Sequence, residues 1–426
     1  MAGVSRFVPV WQKVRLHFVT WACFFWRVWH TTSQVSLPEP RYIDTEAALL
    51  KWVDHLAHAP LIAVDTESDS FHRYREKVCL IQMSALGQDA ILDPLTLPSM
   101  APLLPVFADP QRIKIFHDAG YDLICLFRDF GMQVRGLFDT MLASRLLGRK
   151  HFGLAALLRE RCGFEADKRM QRSDWAQRPL TAQQLMYAQY DTHFLPAMTL
   201  ELRAELQACG RLLWAEEDFA RLPQTCERLG ERQHTVDAHA FWRIAGVRLL
   251  TPAAKGRLRA MVQVRDAIAE RMDRPPFKVF GDWLLLELAQ NPPTTLQELQ
   301  PQPGLRRAGI DKFGPQILAA LRSAEPVKGG PPPGSSKRRR TGRLLDPLAR
   351  DRYEALRGVR RSRAEALGLE PEVALSNAML EEVARLPPDS MAALCERPEL
   401  RGWRGPLFAQ AIFDSVAATP GPTAPT

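Results

Sequence analysis

Three short stretches carry acids at spacings that suit metal chemistry. In Asp65-Thr66-Glu67 two carboxylates stand two residues apart at the end of the apolar run Leu61 to Asp65 (LIAVD), and the period-two alternation of a strand puts both on one face. A second stretch, His117-Asp118-Ala119-Gly120-Tyr121-Asp122, closes the run Ile113 to His117 (IKIFH). A carboxylate there sits at the carboxyl edge of a sheet, where α/β proteins usually bind their ligands. Taken alone, either Asp118 or Asp122 reads as a helix cap. The third stretch, Tyr187-Ala188-Gln189-Tyr190-Asp191, places a phenol and a carboxylate one turn apart on one helical face. An acid beside aromatics on a buried helical face is costly unless it is paired or bound to metal. Carboxylate oxygens are hard ligands, and a cluster lacking His and Cys suits Mg2+ or Mn2+ better than Zn2+.

The elements that must position these acids follow from periodicity. From Tyr42 onward short β-rich runs alternate with helical ones, the pattern of an α/β domain with a mixed sheet flanked by helices. Strands are predicted at Leu61 to Asp65, Val78 to Ser84, Ala90 to Asp93 and Ile113 to His117. Helices are predicted at about Tyr121 to Phe130, Thr140 to Leu147, Gly153 to Arg161 and, as one helix, Thr181 to Leu206. After Leu213 the pattern is helical throughout, with Gly210, Pro223 and Gly230 punctuating the change and a new domain starting near Ala240. This helical part repeats itself. Asp282 to Pro293 (DWLLLELAQNPP) aligns with Asn377 to Pro388 (NAMLEEVARLPP), Leu299 with Leu394, and, after a short deletion, Gly314-Pro315 with Gly405-Pro406.

At 426 residues the chain needs several domains, and 46% hydrophobic with 24% charged residues is the balance of a folded protein rather than a disordered or membrane one. The net charge of +8 is local: residues 1 to 36 carry +4 and residues 326 to 344 carry +6, which leaves −2 for everything else. Folded units must therefore meet any polyanion through local patches. The second basic stretch, with its Pro, Gly and Ser, is a tether that attracts phosphates non-specifically. Seven scattered cysteines without a CxxC pair suggest neither a disulfide framework nor a zinc site and fit a reducing cytoplasm. The uncharged run Leu16 to Trp26 is too short to span a bilayer.

Order, spacing and element type of the three acidic stretches agree, and together they resemble the three exonuclease motifs of the ribonuclease D branch of the DEDD superfamily over about residues 40 to 210. The likeness extends to Leu137-Phe138-Asp139-Thr140, to Glu165 through Arg169, to Ser173-Asp174-Trp175 and to Arg178-Pro179-Leu180. In that family the second-motif acid lies five residues after the His, which selects Asp122 over Asp118. The third motif is similar to the Tyr subclass, with Tyr187 four residues before its Asp and Met186 where the other subclass has His. The helical repeats look like HRDC domains. The resemblance thus implies an α/β ribonuclease H-like exonuclease domain followed by two all-α HRDC helical bundles, divided as an extension 1–36, exonuclease domain 37–215, linker 216–240, first HRDC domain 241–325, basic linker 326–344, second HRDC domain 345–417 and tail 418–426.

It also implies a 3'-5' exoribonuclease that releases 5'-mononucleotides from RNA 3' ends, with tRNA precursors or other structured RNAs as substrates, acting as a cytoplasmic monomer without membrane association. Two divalent ions, Mg2+ or Mn2+, would be held by Asp65, Glu67, Asp122 and Asp191. Asp65 would bridge both, Glu67 and Asp191 would serve the ion holding the attacking water, Asp122 would serve the other, and Tyr187 would orient the water. His117, Gln82, Phe71, Lys168 and Arg169 are candidates for substrate contact. Tyr74 is a further stacking candidate, and Trp175 is expected in the core. A DNA exonuclease and a catalytically silent RNA-binding scaffold are the alternatives.

Overall fold

The computed structural model describes residues 37–165, 168–231, 239–299, 305–330 and 346–419. The extension 1–36 and the basic run Lys337 to Arg340 lie outside the described residues. The chain forms two compact units. One gathers the residues through Ser68, Val78–Arg232 and Arg340–Thr426, and the other gathers Asp69–Lys77 and Gln233–Arg339, each as far as it is described.

In the first unit the order is β1 (Arg41–Ile43), α1 (Glu46–Ala57), β2 (Leu61–Ser68), β3 (Val78–Ala85), β4 (Gln88–Leu92), α2 (Leu104–Ala108), β5 (Ile113–Phe116), α3 (Gly120–Phe130), β6 (Leu137–Asp139), α4 (Thr140–Leu146), α5 (Leu154–Cys162), α6 (Ala182–His193), α7 (Leu195–Ala208) and α8 (Leu212–Gly230). The sheet order is β1-β4-β3-β2-β5-β6. β3 is antiparallel to both of its neighbours, and the remaining pairs are parallel, so the sheet is mixed as expected. Leu61, Ile62, Ala63 and Val64 are buried, which is what a central strand covered on both faces requires of its sequence. The three-residue strands β1 and β6 were not among the predicted elements; runs so short carry too little periodicity to be read.

Two expectations need correction. Residues 181 to 206 form two helices rather than one, because Pro196 stands in the first turn of α7, lacks an N–H, and its ring clashes with the carbonyl four residues back, so the preceding helix ends. The expected linker 216–240 is helical as far as Gly230, with Ala215, Phe219, Pro223 and Cys226 buried along one face and packed against α3.

The second unit contains α9 (Pro252–Arg271), α10 (Pro276–Val279), α11 (Asp282–Gln290) and α12 (Arg307–Arg322). The first unit is completed by α13 (Pro347–Ala366), α14 (Pro371–Ala374), α15 (Asn377–Arg385), α16 (Met391–Cys395) and α17 (Arg404–Ala417). α9, α10 and α11 match α13, α14 and α15 in length and at one constant offset, so the sequence repeat is a repeat of structure. An internal arginine device repeats with it. Arg265 donates to the Phe280 carbonyl and to Asp282; Arg360 donates to the Leu375 carbonyl and to Asn377. In each copy the guanidinium ties the long helix to the start of the next one.

The copies differ in what they pack against. α17 of the second copy belongs to the same unit as α8, and Arg404 makes a two-pronged ion pair with Asp218 at 2.6 and 2.9 Å while also donating to the carbonyls of Val373 and Ala374. Both side chains are almost wholly buried. Trp403 stacks on Trp214 with centroids 4.5 Å apart. In the first copy Phe313 stands where the second has Arg404. Removing one partner of a buried ion pair leaves an uncompensated charge and costs about 3–5 kcal/mol. Arg404→Ala is therefore expected to lose about that much in urea unfolding, and Asp218→Ala a similar amount.

Among the described residues, no helix is long and apolar enough to cross a membrane.

Candidate active site

The end of β2 carries Asp65 and Glu67, and its antiparallel pairing sets Asp65 opposite Gln82, Thr66 opposite Ile81 and Glu67 opposite Leu80. α6 supplies the third acid. Asp65, Glu67 and Asp191 each offer one carboxylate oxygen within 4.8 Å of the others. Asp122, on the first turn of α3, lies outside that three-oxygen set but is tied to it, because the hydroxyl of Thr66, between the two β2 acids, donates to its carboxylate. Asp118 is exposed, with φ +65. It caps nothing, and α3 has no side-chain cap. The capping acid here is Asp139, which accepts from the backbone N–H of Asp118, Ala119 and Leu142. It thereby fixes both the left-handed turn that launches α3 and the start of α4.

α6 opens with a capping box between Thr181 and Gln184 and is anchored by a buried polar network around Asp89. That carboxylate accepts from Ser84 at 2.6 Å, Gln189 at 2.7 Å and, at 2.8 Å, pairs with His193. These bonds hold the helix on β3 and β4, and so fix Tyr187 and Asp191 over β2. The loop entering α6 is held by Arg178, which grips Asp93 with two nitrogens and also donates to the Cys79 carbonyl. Trp175 is in the core as expected, 1% exposed, with its ring 5.9 Å from that of Tyr187.

Asp65 and Glu67 keep partial solvent access, while protein atoms crowd their carboxyl groups on the remaining sides. Access governs what can reach the oxygens, and crowding governs their charge. Burial first, then the charges of Asp122, Asp191 and Glu67, hold the Asp65 carboxyl well above its ordinary range. Burial, Asp191 and Asp122 do the same to Glu67. Asp122 and Asp191 are each pushed up to about 7, mainly by burial, against the opposing hydrogen bonds from Thr66 and Tyr187. Without cations, four converging acids favour protonation over mutual repulsion. An all-oxygen set of this kind suits hard divalent cations.

His117 shows a defined tautomer. Thr140 donates its one hydroxyl proton to the Phe116 carbonyl, so it must accept from His117 Nδ1 at 2.9 Å. Burial lowers the imidazole pKa to about 4, which keeps it neutral, and Nε2 is a buried acceptor without a partner among the described residues.

Gln82 is fully buried under α6 and offers no surface to substrate, because it lies mid-strand in β3 rather than at the sheet edge. Phe71 belongs to the second unit, where its ring meets Phe277 edge-on at 6.5 Å. Tyr74 is in that unit too, its hydroxyl donating to Asp266 at 2.7 Å. Arg169 is exposed on a short 3-10 helix, Lys168–Arg172; the Lys168 side chain, with Ala166 and Asp167, lies outside the described residues. Thr66, Asp89 and Asp139 were not singled out as site residues. Asp139 lay within a stretch of family likeness, and Thr66 between two chosen acids.

Residues 40–207 match the 3'-5' exonuclease family, and residues 254–321 and 349–404 each match the HRDC domain. The exosome complex exonuclease RRP6 of Saccharomyces cerevisiae is 33% identical over 60% of this chain, which spans only 36% of that protein. Ribonuclease D of Gluconacetobacter diazotrophicus is 28% identical over 88% of this chain and 93% of its own length. The solved structure of Escherichia coli RNase D, an exoribonuclease involved in structured RNA processing, superposes with a TM-score of 0.69 at 25% identity, covering 90% of this chain and all of that one. An exonuclease domain with this carboxylate site, followed by two HRDC repeats and similar over most of its length to ribonuclease D, makes the chain a 3'-5' exoribonuclease with the domain order of ribonuclease D.

Proposed function

We propose that the chain trims the 3' ends of tRNA precursors or other structured RNAs, one 5'-mononucleotide at a time, as a monomer, at a site loaded with two Mg2+ or Mn2+ ions. The observation that carries this reading is the approach of Asp65, Glu67 and Asp191 oxygens to within 4.8 Å of one another, with Asp122 tethered beside them through Thr66. Bound divalent ions would supply a water acidic enough to attack phosphorus and would neutralise the leaving 3'-oxygen. Asp65, central to the cluster, would help hold both ions, Glu67 and Asp191 would hold the one that supplies the attacking water, and Asp122 would hold the other. Tyr187, whose one hydroxyl proton goes to Asp191, would orient that water by accepting a hydrogen bond from it. Burial and the neighbouring carboxylates raise its pKa and keep the phenol protonated, which rules it out as the base. His117 Nε2 accepts a hydrogen bond from a ribose hydroxyl of the terminal nucleotide.

The first HRDC repeat is assigned to RNA and the second to bracing the catalytic domain. Residues 241–325 carry 13 basic against 8 acidic residues, whereas residues 345–417 carry 10 against 12, so only the first attracts a polyanion. The second unit also exposes Phe277 at 57% and Trp283 at 48%, flat faces of the kind on which bases stack.

The direct test is release of mononucleotides from a labelled tRNA precursor with Mg2+, with Mn2+ and with chelator. Metal-dependent release, lost in Asp65→Asn and in Asp191→Asn without loss of fold, is the expected result; near-normal activity in either variant would refute the assignment. Release from single-stranded DNA alone would point to a DNA enzyme. Phe277→Ala is expected to weaken binding of single-stranded RNA by about 1–3 kcal/mol, the usual worth of one stacked base, as read by fluorescence anisotropy in chelator.

The raised carboxyl pKa values set a pH dependence. The metal-free folded state binds more protons than the unfolded state between the ordinary carboxylate range and about 7. Its stability therefore falls as pH rises through that window and stays low above it. Melting temperatures of chelated protein should decline from about pH 5 to about pH 8, and saturating Mn2+ should abolish the decline.

A further inference from the structure

We propose that Gln82 is a positioning residue of the metal site, its amide reserved for the Asp65 carboxylate and for water held by an ion there. The inference rests on the metal-site reading above. Residues directly opposite in an antiparallel pair point to the same face, close enough for long side chains to touch, and Gln82 is directly opposite Asp65. On its other side the residue in register is Ile91, which offers no hydrogen bond. Two positions along β3 on the same face, Ser84 is already engaged with Asp89 and Thr192.

Gln82 is 0% exposed, and neither its Oε1 nor its Nε2 has a partner among the described residues. Ile91, in register with it, belongs to an apolar cluster with Cys79, Leu80, Trp175 and Ala188. A buried amide with both ends unpaired weakens the fold, and an apolar residue of equal volume would serve packing better. The expense is accounted for when a partner arrives with function. An amide offers one donor side and one acceptor side. The N–H suits the ionised Asp65 carboxylate, and the carbonyl suits the polarised proton of an ion-held water. Groups behind metal ligands orient them in this way, and their loss typically weakens metal affinity 10- to 100-fold.

The test is Gln82→Met in the full chain, with Mn2+ binding measured by calorimetry and the melting temperature measured in chelator. The expected result is an unchanged or higher melting temperature without metal, together with Mn2+ affinity about tenfold weaker or more. Affinity within twofold of the parent would overturn the proposal. So would a drop in the metal-free melting temperature, since the amide would then be serving the fold. Asp65→Asn, measured alongside, separates the two readings: if it too binds Mn2+ normally the metal site itself is misplaced, whereas if it alone loses the ions only the role of Gln82 fails.

Discussion

Four carboxylates brought together at one end of a sheet repel one another, and most of the surrounding architecture can be understood as what holds them there. The repulsion is relieved by protons or by cations, and among the described residues the hydrogen bonds that reach the cluster come from the hydroxyls of Thr66 and Tyr187 and from backbone N–H groups rather than from arginine or lysine. Neutral donors leave the charge deficit in place. A site arranged in this way is poor at stabilising its own fold and well suited to drawing in divalent ions, the familiar trade between stability and activity.

Holding the acids against their repulsion falls to groups that never touch a reacting atom. Asp139 gathers three backbone N–H groups to set the turn before α3. Asp89 collects Ser84, Gln189 and His193 to pin α6, and Arg178 closes the approach to that helix on Asp93. Each is a buried or half-buried charge with its hydrogen-bonding capacity filled, the condition under which such networks rigidify a site. Gln82, opposite Asp65, is not part of these networks, and both ends of its amide are without a partner among the described residues.

Much of this was legible in the sequence. The run LIAVD announced a strand ending in an acid and IKIFH a strand followed by acids, the Tyr187 and Asp191 spacing announced one helical face, and the repeat announced two similar bundles whose α9–α11 and α13–α15 now coincide in length. Local periodicity carries such information. Long-range placement is a different matter. Nothing in the stretch that begins after Ser68 marks it as belonging with a helical repeat rather than with the strands on either side, so the sequence offered Phe71 and Tyr74 only as candidates to stack on bases. The break at Phe194 was readable from Pro196, but the apolar pattern on both sides of it was continuous enough to hide it. The buried roles of Asp89 and Asp139 depend on partners distant in sequence and had no local signature.

The two units are closed by contacts between remote parts of the chain. The Arg404 to Asp218 pair spans 186 positions, and Tyr74 reaches Asp266 across 192. During synthesis the strands and helices of the exonuclease domain emerge long before the residues that cover α8, and the loop after β2 waits as long for α9. A nascent chain therefore carries Trp214 and Asp218 uncovered until α17 has left the ribosome, and loops of this length close slowly. Truncation at the tether would leave that nascent condition permanent, so the second repeat, though made long after the catalytic domain, works as a built-in folding partner for it rather than as a dispensable appendage.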